Sequence, residues 1–172
     1  MGVDLLSTIE HSAISTWVRE DSSFWAYPVI LFMHTVGVSM VVGISAMIDL
    51  RVLGFARPLP IVPLERYFPV IWIGFWFSAI SGTFLLAADA TTKVANPVFV
   101  VKMILIALGV VNMALIRRVV FLPPNAKTAR PLLGKLLAAA SLIMWFGAAA
   151  AGRLMPYLGA VAGLPGITNK IG

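Results

Sequence analysis

Four long apolar runs divide this chain, at residues 24–48, 67–88, 97–120 and 132–155, with short polar or proline-rich stretches between them. Each run is at least as long as the roughly 20 residues a helix needs to cross the hydrocarbon of a bilayer. No sustained alternation of apolar and polar positions marks them, so backbone hydrogen bonding in lipid demands helices rather than barrel strands. The connectors are short. Arg57-Pro58-Leu59-Pro60-Ile61-Val62-Pro63 cannot be helical throughout, and Leu122-Pro123-Pro124-Asn125 stops the third run in the same way. Short connections imply antiparallel neighbours. The pattern predicts an all-α fold: one integral membrane domain over residues 1–172, built as an up-down four-helix bundle.

The flanks read differently. Leu5, Leu6, Ile9, Ala13 and Trp17 recur at helical spacing between Asp4, Ser7, Glu10, Ser12 and Ser15. Residues 1–21 are therefore predicted to form an amphipathic helix lying on the membrane surface or capping the bundle mouth. The acidic residues there and the missing continuous apolar core argue against a signal peptide. Residues 156–172 are rich in Gly and Pro, and predict an irregular outer tail able to dock on a partner.

Composition sharpens this picture. Hydrophobic residues make up 60% of the chain and charged residues 12%, about half the usual share in a soluble domain. The absence of Cys excludes thiolate metal sites, disulfides and a Cys nucleophile. The net charge of +6 does not point to nucleic acid, because the basic residues gather in two loops. Arg51, Arg57 and Arg66 flank the first connection. Arg117, Arg118, Lys127, Arg130 and Lys135 flank the third. By the positive-inside rule these loops face the cytoplasm, which places both termini outside. Trp17, Trp25, Tyr27, Tyr67 and Tyr157 fall near the predicted interfaces, as an aromatic belt would.

Candidate chemistry starts at His34. It lies about ten residues into the first run, roughly 15 Å deep at 1.5 Å of rise per residue. An ionisable group at that depth is costly and marks a functional site by default. A neutral imidazole inside a bundle is a good axial ligand for haem iron, and Gly37, one turn away, would let a flat ring or a neighbouring helix approach. The plainer reading is a histidine that only hydrogen-bonds across helices. A second haem ligand is not evident: His11 lies on the predicted surface helix. Met33, Met40, Met103, Met113 and Met144 offer thioethers, though Met is an ordinary core filler.

Lys102 and Arg153 sit near the outer ends of the third and fourth runs, Asp89 ends the second and Arg19-Glu20-Asp21 precedes the first; in an up-down bundle these ends converge. Facing inward, the two cations could hold haem propionates or a quinone head group; the plainer reading is snorkelling and ion pairing. Gly74, Ser78 and Gly82 form a small-residue stripe on one face of the second run, a packing motif first of all. Asp49 at the inner exit of the first run is expected to pair with Arg117 or Arg118. Asn112 is a buried polar group that must find a partner.

The segments Trp17-Val18-Arg19-Glu20, Trp25-Ala26-Tyr27-Pro28, His34-Thr35-Val36-Gly37, Asp49-Leu50-Arg51-Val52-Leu53-Gly54, Asn96-Pro97 with Lys102, and Ala151-Gly152-Arg153 resemble a group of bacterial inner-membrane proteins. That group is known as a domain of unknown function, distantly similar to the membrane part of the copper-resistance D proteins. The resemblance covers nearly the whole chain. It implies four spans in the bacterial inner membrane and brings no established activity. Many members carry a His about where Arg117 stands here, so this chain departs from a two-histidine pattern.

Three functions are compatible with these features. The first is a small redox-associated membrane subunit binding haem b or a quinone near the outer side, with His34, Gly37, Lys102, Met103 and Arg153 around the cofactor and a larger complex as partner. The second is a cofactor-free accessory subunit, or a homo-oligomer, packing through the small-residue stripe and the Ala-rich fourth run. The third is a copper or small-solute transporter, with His34 as metal ligand beside a methionine. No motif marks a catalytic activity of its own.

Overall fold

The computed structural model describes residues 26–55, 58–88, 90–94, 96–122, 131–155 and 157, together with Thr8 and His11. All regular structure among these residues is helical. Four helices are long and apolar enough to cross a membrane. We label them with the short helix between them: α1 (Ala26–Leu53), α2 (Phe68–Ala87), α3 (Ala90–Val94), α4 (Pro97–Ile116) and α5 (Pro131–Leu154). The predicted surface helix at residues 1–21 and the tail at 156–172 lie outside the described residues, apart from helical Thr8, exposed His11 and exposed Tyr157.

The ends of the helices follow local chemistry. The apolar run predicted to stop at residue 48 continues as helix through Asp49 and Arg51 to Leu53. Charge does not end a helix; Gly54 does. It takes φ +101°, a region open to glycine at no steric cost. Phe55 N–H then reaches the Leu50 carbonyl at 3.0 Å and Gly54 N–H the Arg51 carbonyl at 3.2 Å, the two bonds of a Schellman closure. The Arg51 guanidinium donates to the Leu59 carbonyl and holds the following loop. Pro63 opens a 3₁₀ turn (Val62–Tyr67) that leads directly into α2.

α4 opens on a complete cap. The Asn96 side-chain oxygen accepts from Val98 N–H at 2.9 Å, and Pro97 occupies the first turn, where its missing donor is no loss. The Asn96 amide donates to the Met155 carbonyl at 3.1 Å, which ties the start of α4 to the end of α5. At its other end α4 loosens into a π-helical turn (Arg117–Phe121) before the proline-rich connector.

α1 packs on α2 and on α5, and α5 packs on α4. Two observations show why. On α1 and α2 the contact is backbone to backbone: a Cβ on Gly37 would meet Gly74 O and Ser78 N, each at 2.7 Å. On α4 and α5 Trp145 lies over Gly109, 3.1 Å from where a Cβ would stand. The apolar core gathers Val41, Ile48, Ile71, Met113, Ile116 and Trp145. Polarity is arranged the opposite way from a water-soluble bundle. On α5, Ser141 is 1% exposed and Ile143, two residues on, is 72% exposed. Apolar side chains such as Ile73, Trp76, Ile80 and Val111 cover the outside, and Ser45, Ser81, Ser141 and the Asn112 amide turn inward. Such a surface is stable against lipid and costly against water.

Candidate functional site

His34 lies on α1 against the small-residue stripe of α2, half-buried. Its Nδ1 is 2.9 Å from the Ser78 carbonyl oxygen. A carbonyl can only accept, so Nδ1 carries the proton and donates. The hydroxyls of Ser78 and Ser81 stand at 3.3 and 3.4 Å from the same nitrogen. Ser81 directs its own hydrogen to the Phe77 carbonyl at 2.6 Å, so its lone pairs are what face the ring. With Nδ1 as donor, the lone pair of the neutral imidazole resides on Nε2, whose direction is set by the bond on the other side of the ring.

The ring fits because Gly82 has no side chain. A Cβ there would stand 3.0 Å from Cε1 and 3.2 Å from Nδ1 of His34. The stripe therefore divides its work: Gly74 and Ser78 take the close approach of α1 at Gly37, and Gly82 one turn on makes the seat for the imidazole. Gly37 was expected to leave room for a flat ring. The room on the side of its missing Cβ is filled by the Gly74 and Ser78 backbone, so Gly37 serves the contact of the two helices. The close approach that the stripe permits is thus used within the chain, by Gly37 and His34 of α1.

Lys102, half-buried on α4, lies against Gly152 of α5, its Nζ 3.4 Å from the position of a Cβ on that glycine. Its ammonium is near enough to the His34 imidazole for the two to interact electrostatically. Of the expected members, Lys102 is the one whose charge is felt at His34. The structure does not add the others. Arg153 is exposed and forms no hydrogen bond or ion pair with a described residue. Met103 is 47% exposed on α4, about 100° round the helix from Lys102. Asp89, Glu20 and Asp21 lie outside the described residues. Among the described residues no cluster of three or more His, Asp or Glu side chains could hold a metal ion.

The opposite end of the helices holds a feature only half anticipated. Asp49 does not meet Arg117 or Arg118. Arg117 reaches Glu65 instead, at 3.4 Å, and lies over the Phe68 ring at 5.9 Å. The reason is geometric: Asp49 points into the helix contact, where Ser141 hydrogen-bonds it, and Arg117 stands on the exposed rim beside the Val62–Tyr67 turn. Asn112 finds the partner it required, donating to the Leu137 carbonyl at 2.9 Å. The burial of Asp49, flagged in the sequence only by its place beside an apolar run, could have been read from Ser45 and Asp49 sharing one helix face.

No family model matches the sequence, and no curated protein or solved structure is similar enough to place the chain in a family.

Proposed function

We propose that this protein is a small redox-associated subunit of the bacterial inner membrane, binding haem b or a quinone near the outer side through His34. In this reading the four helices form an up-down bundle, both termini lie outside, and a larger membrane complex supplies the electron partner. What supports it is the orientation of His34. Its Nδ1–H is fixed on the Ser78 carbonyl, and its Nε2 lone pair is the group that ligates iron or accepts the proton of a quinol hydroxyl. Lys102 supplies the nearby positive charge that suits a haem propionate or a developing quinone anion. With Met103 exposed and Gly37 packed on α2, one histidine and one lysine remain, a set that serves a quinone head group as it stands and gives haem a single protein ligand.

The test is an absorption spectrum of the protein purified in mild detergent from its own membrane, oxidised and dithionite-reduced, with quinone extraction of the same sample. A reduced α-band, or a stoichiometric quinone, that is lost in His34→Ala supports the reading. A flat spectrum with no extractable quinone overturns it.

A second reading, a cofactor-free accessory subunit, is favoured by the same bond seen from the other side. The link from His34 to Ser78 already joins α1 to α2, and a cross-helix hydrogen bond of this kind contributes about 0.6–2 kcal/mol in a membrane. In that case His34→Ala leaves the composition of the purified complex unchanged and lowers only its stability.

A further inference from the structure

We propose that Asp49, Ser45 and Ser141 form a binding site for one dehydrated Na⁺, lying between the four long helices at the end away from His34. The side chains surround a cavity of about 10 Å³ whose walls are Phe68 and Ile71 of α2 and Met113 and Ile116 of α4. That volume admits one water-sized body. Asp49 is 1% exposed, Ser141 1% and Ser45 5%. Ser141 hydrogen-bonds the carboxylate, and two polar atoms find no hydrogen-bond partner among the described residues: Asp49 Oδ2 and Ser45 Oγ. Buried polar atoms nearly always have partners, so a pair of orphans on one cavity calls for an occupant.

Chemistry narrows the occupant. A carboxylate out of water must be compensated, and no cation reaches Asp49 from the described residues: Arg117 goes to Glu65 and Arg51 to the Leu59 carbonyl. The donors are a carboxylate and hydroxyls, hard oxygen ligands that suit alkali and alkaline-earth ions and not copper or zinc. One carboxylate balances one positive charge; a divalent ion would leave a net charge in an apolar wall of Phe, Ile and Met. A cavity sized for one water excludes an ion with its hydration shell. Ser45 and Asp49, four residues apart, present their oxygens from one face of α1, and Ser141 closes the site from α5. The site is independent of the reading of His34.

The experiment compares thermal unfolding of the full chain in mild detergent across a NaCl series, with ionic strength held constant by choline chloride. A ligand that binds only the folded state raises the melting temperature in a saturable way. We expect that rise in the wild type and none in Asp49→Asn, whose amide keeps the shape of the side chain. Ser45→Ala, which removes a ligand and leaves a fold-neutral methyl, should weaken the apparent Na⁺ affinity about tenfold or more, and serves as the readout if Asp49→Asn does not fold. Identical wild-type curves in the two salts overturn the proposal and leave Asp49 as a protonated acid with a water. A Na⁺ response that persists undiminished in Asp49→Asn overturns it equally.

Discussion

Gly82 and His34 occupy one volume: a Cβ on residue 82 would lie 3.0 Å from Cε1 of the imidazole. The histidine is therefore oriented by a side chain that is absent, and by a backbone carbonyl one turn earlier, at Ser78. This pairing separates two variants that look similar in sequence. Gly82→Ala pushes the ring off its seat and should cost about 1–3 kcal/mol of stability as an overpacked contact. It should also remove any signal that depends on His34. Ser78→Ala keeps the accepting carbonyl and should retain that signal. Spectra and extractable quinone of the two variants, side by side, check this.

Gly37 and Gly43 are a second contrasting pair on the same helix. A Cβ on Gly37 meets backbone atoms of α2 at 2.7 Å, which cannot move without shifting the helix; nothing stands within 4 Å of one on Gly43. Gly37→Ala should separate α1 from α2 and lower the melting temperature strongly. Gly43→Ala should be neutral or stabilising by up to about 1 kcal/mol through helix propensity. Thermal unfolding in detergent distinguishes them, and equal losses would show that the α1–α2 contact is not made through Gly37.

Asn96 caps α4 and also reaches the Met155 carbonyl on the far end of α5. Asn96→Ala removes both bonds and is expected to cost about 1–2 kcal/mol, at the upper end of a capping substitution. Asn96→Asp keeps the cap and loses only the donor to Met155, so it should recover part of the loss. Chemical or thermal unfolding of the two proteins gives the difference directly.

Asn112 donates to the Leu137 carbonyl at 2.9 Å and is 4% exposed. Asn112→Leu breaks the bond between α4 and α5 and should cost roughly 0.6–2 kcal/mol, the range of interhelical hydrogen bonds in membranes. The Leu137 carbonyl is an ordinary helix acceptor, so no orphan is created there. A loss well beyond that range would mean that Asn112 holds more than this one partner.

The ion pair of Arg117 and Glu65 is expected to matter little. Its side chains are 50% and 34% exposed, and exposed pairs contribute about 0–1 kcal/mol, less in salt. Glu65→Gln should shift the melting temperature only slightly at low ionic strength and not at all at high ionic strength. Asp49→Asn, a substitution of the same kind at a buried carboxylate, is the informative comparison.

Much of the scaffold is legible in the chain itself. Four apolar runs, each long enough for the bilayer, dictate four long helices, because lipid leaves the backbone no partner but itself. Proline and glycine mark where they stop: Pro63 and Pro97 open turns of helix and Gly54 closes one. The need of Asn112 for a partner also follows from its type and place. These are properties of single segments, and a segment carries them whatever its neighbours are.

The site was decided by how the segments meet. That Lys102 turns onto Gly152 while Met103 and Arg153 are exposed depends on the rotation of α4 and α5 about their axes. In runs apolar on every side, periodicity does not report that rotation. That Gly37 is filled by α2, and Gly82 by an imidazole, depends on backbone approaching within van der Waals contact, which a stripe of small residues permits without saying what will occupy it. Asp49 was expected to find a charge, and found Ser141 and a cavity instead. Pairings across helices are set by the packing of whole faces, and only the tertiary structure brings those faces together.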